Sequence, residues 1–268
     1  MNACTRDEWM TVAAARLLKD QTVCFVGIGL PSAACNLARL THAPGIVLIY
    51  ESGAIGTRPD VLPLSIGDGE LAETATCVVP LPEIFSFYLQ AGRVDVGFLG
   101  AAQIDRYGNL NSTVIGAYER PRVRLPGAGG APEIALLAKQ VFVMLRATPR
   151  SCVTKLDFCT SAGYLSGDGA RARVGAPGAG PRAVITDFGM LAPHPDSEEL
   201  QLVALFDGVD IDEACAAVGW PLRKATTIET ITAPTPHELE TLRSLTTRSR
   251  DAHADPVRVP SLTQKASP

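Results

Sequence analysis

Apolar residues along this chain fall into short runs, most of which end on a glycine or a charge. The opening "EWMTVAAARLLKD" (8–20) has the spacing of an amphipathic helix. "TVCFVGIG" (22–29) then reads as a strand running into a glycine turn, "SAACNLARLTHA" (32–43) as a helix, and "GIVLIYES" (45–52) as a second strand. That order is a βαβ unit, and its nearly continuous apolar strands predict a parallel sheet covered on both faces. A helix "PEIFSFYLQAGR" (82–93) leads into another buried strand, "VDVGFLG" (94–100). Between 101 and 145 short alternating strands, a Tyr-Gly-Asn turn, a glycine loop, a short helix and a further strand are expected.

Residues 160–182 are rich in Gly, Pro and Ala and predict a long surface loop. "AVITDFGML" (183–191) and "LQLVALFDG" (200–208) predict paired strands; "DIDEACAAVGW" (210–220) and "TPHELETLRSLTTRS" (235–249) predict helices. With no internal repeat and no clean linker, the expectation is one α/β domain over 1–250, a mainly parallel sheet flanked by helices. Residues 251–268 are expected to be a disordered tail.

Composition narrows the function. A formal charge of −4 argues against electrostatic binding of nucleic acid. No apolar run approaches the roughly 20 residues of a membrane span, and "MNACTRDEWM" does not have the pattern of a secretory signal. Seven cysteines, an odd number with no Cys-x-x-Cys pair, and four scattered histidines predict neither a disulfide framework nor a metal site. The expected location is the cytoplasm.

Open α/β sheets bind ligands beyond the carboxyl ends of their strands. Two loops fall there: "GIGLP" (27–31), with Gly27 and Gly29, and "ESG" (51–53), with Glu51, Ser52 and Gly53. "GIGLPSA" is no dinucleotide fingerprint, because Ser32 stands where a third glycine belongs and Pro31 interrupts the pattern. A second glycine loop, "PGAGGAPEI" (126–134), precedes a helical run; its N–H groups suit a phosphate, a carboxylate or a developing oxyanion, or the loop is a flexible connection. No Lys-Ser/Thr pair follows it, so it is not a P-loop. A carboxylate after an apolar strand can be a general base, a metal or ribose ligand, a covalent nucleophile or a strand terminator, and its position alone does not choose. Arg120, Arg122 and Arg124 alternate along one strand, as a solvated face or as a contact for an anion or a partner chain.

Taken in order, "VGIGLP", "YESGAIG", "GAAQIDRYGNLNST" and "GAGGAPEI" resemble the β subunit of class I coenzyme A transferases, of the glutaconate CoA-transferase β type, over residues 8 to 245. The resemblance implies the fold shared by CoA transferases and sugar-phosphate isomerases. It also implies a homologous α subunit, assembled as heterodimers or heterotetramers with the active site at the seam, and a small carboxylic acid and an acyl-CoA as substrates. Glu51 would be the nucleophile, carrying CoA as a glutamyl thioester; Gly129 and Gly130 would bind the oxyanion. Gly27, Gly29, Ser52, Gly53, Gln103 and Asn109 would line the substrate or CoA site. No metal or other cofactor is implied, coenzyme A entering as part of the substrate. The alternative within the same fold is a hydrolase or decarboxylase acting on a CoA thioester from ring or steroid degradation, in which the glutamate serves as a base. A non-enzymatic effector-binding module is a further reading.

Overall fold

The structure, a computed structural model, describes residues 4–254. Helix α1 (Arg6–Arg16) starts at a capping box: the Thr5 hydroxyl accepts from the Glu8 N–H at 3.2 Å, and the Glu8 carboxylate accepts from the Thr5 N–H at 2.7 Å. Strand β1 (Val23–Phe25), helix α2 (Leu30–Leu40) and strand β2 (Val47–Ile49) form the expected βαβ unit. The chain then turns back through two short strands, β3 (Ala54–Ile55) and β4 (Cys77–Val78), around α3 (Gly69–Glu73). The helix predicted over 82–93 is one turn of α4 (Leu81–Glu83) continued as a π-helical turn, Ile84–Leu89.

Strand β5 (Val96–Leu99) is followed by two hairpins, β6 (Gln103–Ile104) with β7 (Leu110–Asn111) and β8 (Val114–Ala117) with β9 (Arg120–Arg124). Next come α5 (Ala131–Leu137), β10 (Gln140–Met144) and α6 (Ala170–Arg173). A meander of β11 (Pro181–Ile185), β12 (Gly189–Pro193) and β13 (Leu200–Phe206) leads to α7 (Ile211–Ala216), β14 (Arg223–Ile231) and α8 (Pro236–Ala254). Helix α8 runs four residues into the segment expected as a tail; the remainder of that segment, 255–268, lies outside the described residues.

Ten strands form one sheet in the order β14-β13-β12-β11-β10-β5-β1-β2-β3-β4. Its middle, β11-β10-β5-β1-β2, is parallel, as predicted; antiparallel pairings extend it through β3 and β4 on one side and β12 and β13 on the other, and the outermost β14 is again parallel to β13. Side-chain alternation divides the core between the two faces. Cys24, Val26, Leu48 and Tyr50 point into the layer made by α1, α2 and α8, whereas Phe25 and Ile49 point into the layer of α5 and the π-helical turn. The residue after Tyr50 therefore falls on the α5 side.

The segment 160–182 departs from expectation. It is a packed crossing from β10 to β11, pinned by Arg171, which is buried and, among the described residues, has no paired carboxylate. The Arg171 guanidinium donates to five main-chain carbonyls, among them Gly163 at 2.9 Å, Gly178 at 2.8 Å and Ala135 at 2.8 Å. Burial pushes its pKa down. A glycine-rich stretch thus becomes ordered because one cation satisfies the carbonyl groups that a loop leaves over.

Candidate active site

Glu51 and Ser52 are the two central residues of a tight turn between β2 and β3. The Gly53 N–H closes it on the Tyr50 carbonyl at 3.0 Å, and the Tyr50 N–H donates to the Ala54 carbonyl at 3.0 Å. Gly53 is required there: its φ is +107°, and a β-carbon would overlap the Val79 carbonyl oxygen. On the other side the fully buried Tyr50 hydroxyl shares a 2.8 Å hydrogen bond with Ser32 in the first turn of α2, and burial pushes its pKa up. The turn is held from both flanks, and the half-buried Glu51 carboxylate projects from it.

That carboxylate faces the glycine loop preceding α5. A β-carbon on Gly130 would lie 3.2 Å from Glu51 Oε1, and one on Gly129 would lie 3.9 Å from the same oxygen. The same position on Gly130 is 2.5 Å from Cζ of Phe85, on the π-helical turn, so the loop is wedged between ring and carboxylate. Phe85 in turn packs on Phe25 of β1, with ring centroids 5.8 Å apart. Among the described residues neither the Gly129 nor the Gly130 N–H has an acceptor, although Gly130 is buried. Buried N–H groups without a partner are rare and mark sites where a ligand completes the bonding.

The two loops enclose a cleft of about 670 Å³ at the carboxyl ends of the central strands. Gly27, Ile28, Leu30, Ile66, Phe98 and Met144 contribute to its walls together with the glycine loop. Glu51 is the one ionisable side chain among the described residues lining it. A lone carboxylate set against a glycine loop, in an otherwise apolar cleft, can act on an acyl carbonyl.

The sequence-derived residues divide accordingly. Glu51, Gly129, Gly130 and Gly27 meet in this cleft, whereas Gly29 caps α2 at a φ of +88° and lines a neighbouring apolar cavity between α1, α2 and α8. Ser52 and Gly53 shape the turn that carries Glu51 and do not line the cleft. Gln103 and Asn109 also lie outside its lining, and both amides are committed to the main body of the fold. Gln103 Nε2 donates to Asp157 at 3.0 Å and its Oε1 accepts from Asn111 at 2.8 Å. Asn109 donates to Asp105 at 2.9 Å and to the Leu165 carbonyl at 2.8 Å, and accepts from the Gly163 N–H at 2.8 Å. Arg124 stacks over Tyr118, its guanidinium carbon 4.9 Å from the ring centroid, while Arg122 lines a separate pocket. Phe85 and Ile66 were not singled out from the sequence; the aromatic spacing of 84–89 reads as ordinary core, and nothing local distinguishes them.

Among the described residues no group of His, Cys, Asp and Glu is arranged to hold a metal ion, and no helix is long and apolar enough to cross a membrane.

A carboxylate facing a glycine loop beyond the carboxyl ends of a mainly parallel sheet is the arrangement of an α/β enzyme. The family model described as "Coenzyme A transferase" matches residues 8–217, and the chain belongs to that family. It is 56% identical to the B-type subunit of the 3-oxoadipate CoA-transferase of Pseudomonas knackmussii, over 94% of this chain and 97% of the relative. The crystal structure of glutaconate coenzyme A-transferase from Acidaminococcus fermentans superimposes with a TM-score of 0.84 at 32% identity, covering 90% of this chain and 94% of that one. A more distant likeness, 25% identity over 90% of this chain and 94% of the relative, is to the cholesterol ring-cleaving hydrolase IpdB subunit of Mycobacterium tuberculosis.

Proposed function

We propose that this chain is the B-type subunit of a transferase that moves CoA from an acyl-CoA to a carboxylic acid, with Glu51 as the covalent carrier. The supporting observation is the solitary Glu51 carboxylate set against Gly130 in an apolar cleft. The carboxylate attacks the thioester carbonyl of the donor; the C–S bond breaks, leaving a mixed acyl–glutamyl anhydride and CoA thiolate. The thiolate then attacks the glutamyl carbonyl, expelling the donor acid as its carboxylate and leaving a glutamyl–CoA thioester. An acceptor carboxylate runs these two steps in reverse and departs as its own CoA ester, so no net redox change or cofactor is needed. Each attack develops an oxyanion, for which the Gly129 and Gly130 N–H groups are the donors. Apolar walls protect the anhydride from water.

The likeness to the B-type subunit of a 3-oxoadipate CoA-transferase supports a small dicarboxylate of the 3-oxoadipate kind as acceptor. It likewise supports a companion α chain that completes the site, since the relatives are named as single subunits. The test uses the two chains co-expressed. The enzyme is incubated with succinyl-CoA or acetyl-CoA and then reduced with borohydride, and the peptide carrying Glu51 is weighed beside a Glu51→Ala control. Reduction of the thioester to an alcohol lowers the glutamate mass by about 14 Da. Consumption of acyl-CoA with Glu51 unmodified would reassign that carboxylate as a general base. Acceptor choice is read by offering 3-oxoadipate and glutaconate in parallel.

A further inference from the structure

Beside the Glu51 cleft lies a second pocket, of about 750 Å³, whose lining includes Arg122, Arg150 and Lys155. Among the described residues none of the three forms an ion pair or donates a hydrogen bond to a protein acceptor, unlike Arg16, Arg146 and Arg243, which are all paired. The single carboxylate in the lining, Asp157, is engaged elsewhere: its Oδ2 accepts from Gln103 Nε2 at 3.0 Å and from the Gly116 N–H at 3.1 Å. The pocket therefore concentrates positive charge that the fold does not use. Arg150 is presented by a closed turn, in which the Thr148 N–H donates to Ser151 Oγ at 2.9 Å and the Ser151 N–H to Thr148 Oγ1 at 3.2 Å.

Three chain segments pass directly from the cleft into this pocket. Gly100 lines the first and Ala102 the second; Met144 the first and Thr148 the second; Pro126 the first and Arg122 the second. Both pockets thus open on the carboxyl ends of the same strands. In the order β10-β5-β1-β2, three strand spacings separate the strand of Glu51 from β10. Met144, at the end of β10, still lines the cleft, so the second pocket, which Thr148 lines four residues further on, lies just outside the site of the acyl group.

We propose that this pocket receives the phosphate groups at the nucleotide end of the acyl-CoA, whose thioester lies at Glu51. The proposal rests on the functional reading above for the thioester end and on the charge and placement of Arg122, Arg150 and Lys155 for the other. Guanidinium groups suit phosphate oxygens because they donate in a planar fork, and an ammonium group adds a point charge. An exposed, unpaired trio also increases the encounter rate of a polyanionic substrate at low salt.

The experiment compares donors that differ only in the nucleotide end, an acyl-CoA and the corresponding acyl-pantetheine, on the enzyme assembled with its α chain. In the Arg150→Gln/Lys155→Gln double variant, and separately in Arg122→Gln, KM for acyl-CoA is expected to rise about 10- to 100-fold. The loss is expected with acyl-CoA and not with acyl-pantetheine. Calorimetric binding of adenosine 3′,5′-bisphosphate, which needs no turnover, is expected to weaken by a similar factor. Equal losses with both donors would overturn the site, pointing to assembly with the α chain, and size-exclusion chromatography would show that directly. A KM increase confined to the acid acceptor would overturn it in favour of a distal carboxylate, and unchanged constants would overturn it outright. Should Glu51 prove to carry no CoA while bisphosphate binding still depends on Arg150 and Lys155, the phosphate site stands and only the covalent mechanism falls.

Discussion

Replacing Gly130 by alanine isolates the contact on which the proposed chemistry depends. The backbone there has a φ of −87°, which alanine adopts without strain, so the conflict is purely steric. The added methyl would sit 2.5 and 2.7 Å from Phe85 Cζ and Cε1 and 3.2 Å from Glu51 Oε1. Carbon–carbon contacts are ordinarily about 3.5–4.0 Å, so about 1 Å of clearance has to be found. The Phe85 ring is backed by Phe25, and the Glu51 turn is locked by Gly53 and Tyr50, which leaves the glycine loop as the part that moves. Displacing a reacting group by about 1 Å costs on the order of 10²-fold, and removing one oxyanion donor costs about 10²–10³ in kcat. Gly130→Ala is therefore expected to lower kcat for CoA transfer by about 10²–10³, and overpacking to cost about 1–3 kcal/mol of stability. Steady-state transfer rates and thermal melts on the complete enzyme read both. Gly129→Ala is the internal control: its methyl has room, at 3.9 and 4.0 Å from Glu51, and its φ of +50° carries a penalty of about 1–2 kcal/mol. Phe85→Ala should partly rescue Gly130→Ala, with a coupling energy of about 0.5–3 kcal/mol. Wild-type kcat in Gly130→Ala, or strictly additive losses in the double variant, would refute the reasoning.

Three further outcomes are expected from the same geometry. Gly53→Ala should destabilise by about 3 kcal/mol or more and depress activity as well, since the Val79 carbonyl leaves no space at the turn carrying Glu51; urea unfolding with parallel assays reads both. Arg171→Met strands five carbonyls and should cost at least about 3 kcal/mol, with Arg171→Lys recovering part of it in the same denaturation experiment. The Arg243 side chain holds Glu8 at about 2, and at Glu238 the effect of burial is outweighed by Arg16 and Thr235, again giving about 2. Folded pKa values below the ordinary 4.5 mean that this stabilisation is fully present above pH 4.5 and is lost as pH falls toward 2. Because both carboxylates are partly solvated, the loss is about 1 kcal/mol each. Melting temperatures from pH 6 down to pH 3 should fall more steeply in the parent than in Arg243→Gln, and parallel curves would contradict the assignment.

The parallel middle of the sheet was legible because β1, β2, β5 and β10 are buried on both faces and read as unbroken apolar runs. The reversal after β2 was not. "ESGAIG" shows glycines but not that Gly53 and Gly56 take positive φ and turn the chain back into strands only two residues long. Strand β14 is not among the expected elements, although "TTIETI" is rich in β-branched residues. At the site, the glutamate and the glycine loop could be named from local pattern, whereas Phe85 required the tertiary structure. Gln103 and Asn109 show the opposite limit. A polar motif looks the same in sequence whether its amides meet a ligand or bind the hairpin of β6 and β7 to Asp157, Asp105 and Leu165, and Gln103 lines the second pocket while bonding Asp157.

The position of Glu51 results from the reversal that the sequence concealed. Had β2 continued into a helix, as β1 does, its last residue would open a mobile loop and its carboxylate would sample many rotamers. The hairpin with β3 confines it to two turn residues, fixed on one flank by the Tyr50–Ser32 hydrogen bond and on the other by the close approach of Gly53 to Val79. Alternation along β2 sends Tyr50 into the α2 layer, so the next side chain is delivered to the α5 layer, where the glycine loop waits. Covalent catalysis by a carboxylate, a weak nucleophile, gains most from such fixed placement, because orientation against the acyl carbonyl replaces intrinsic reactivity.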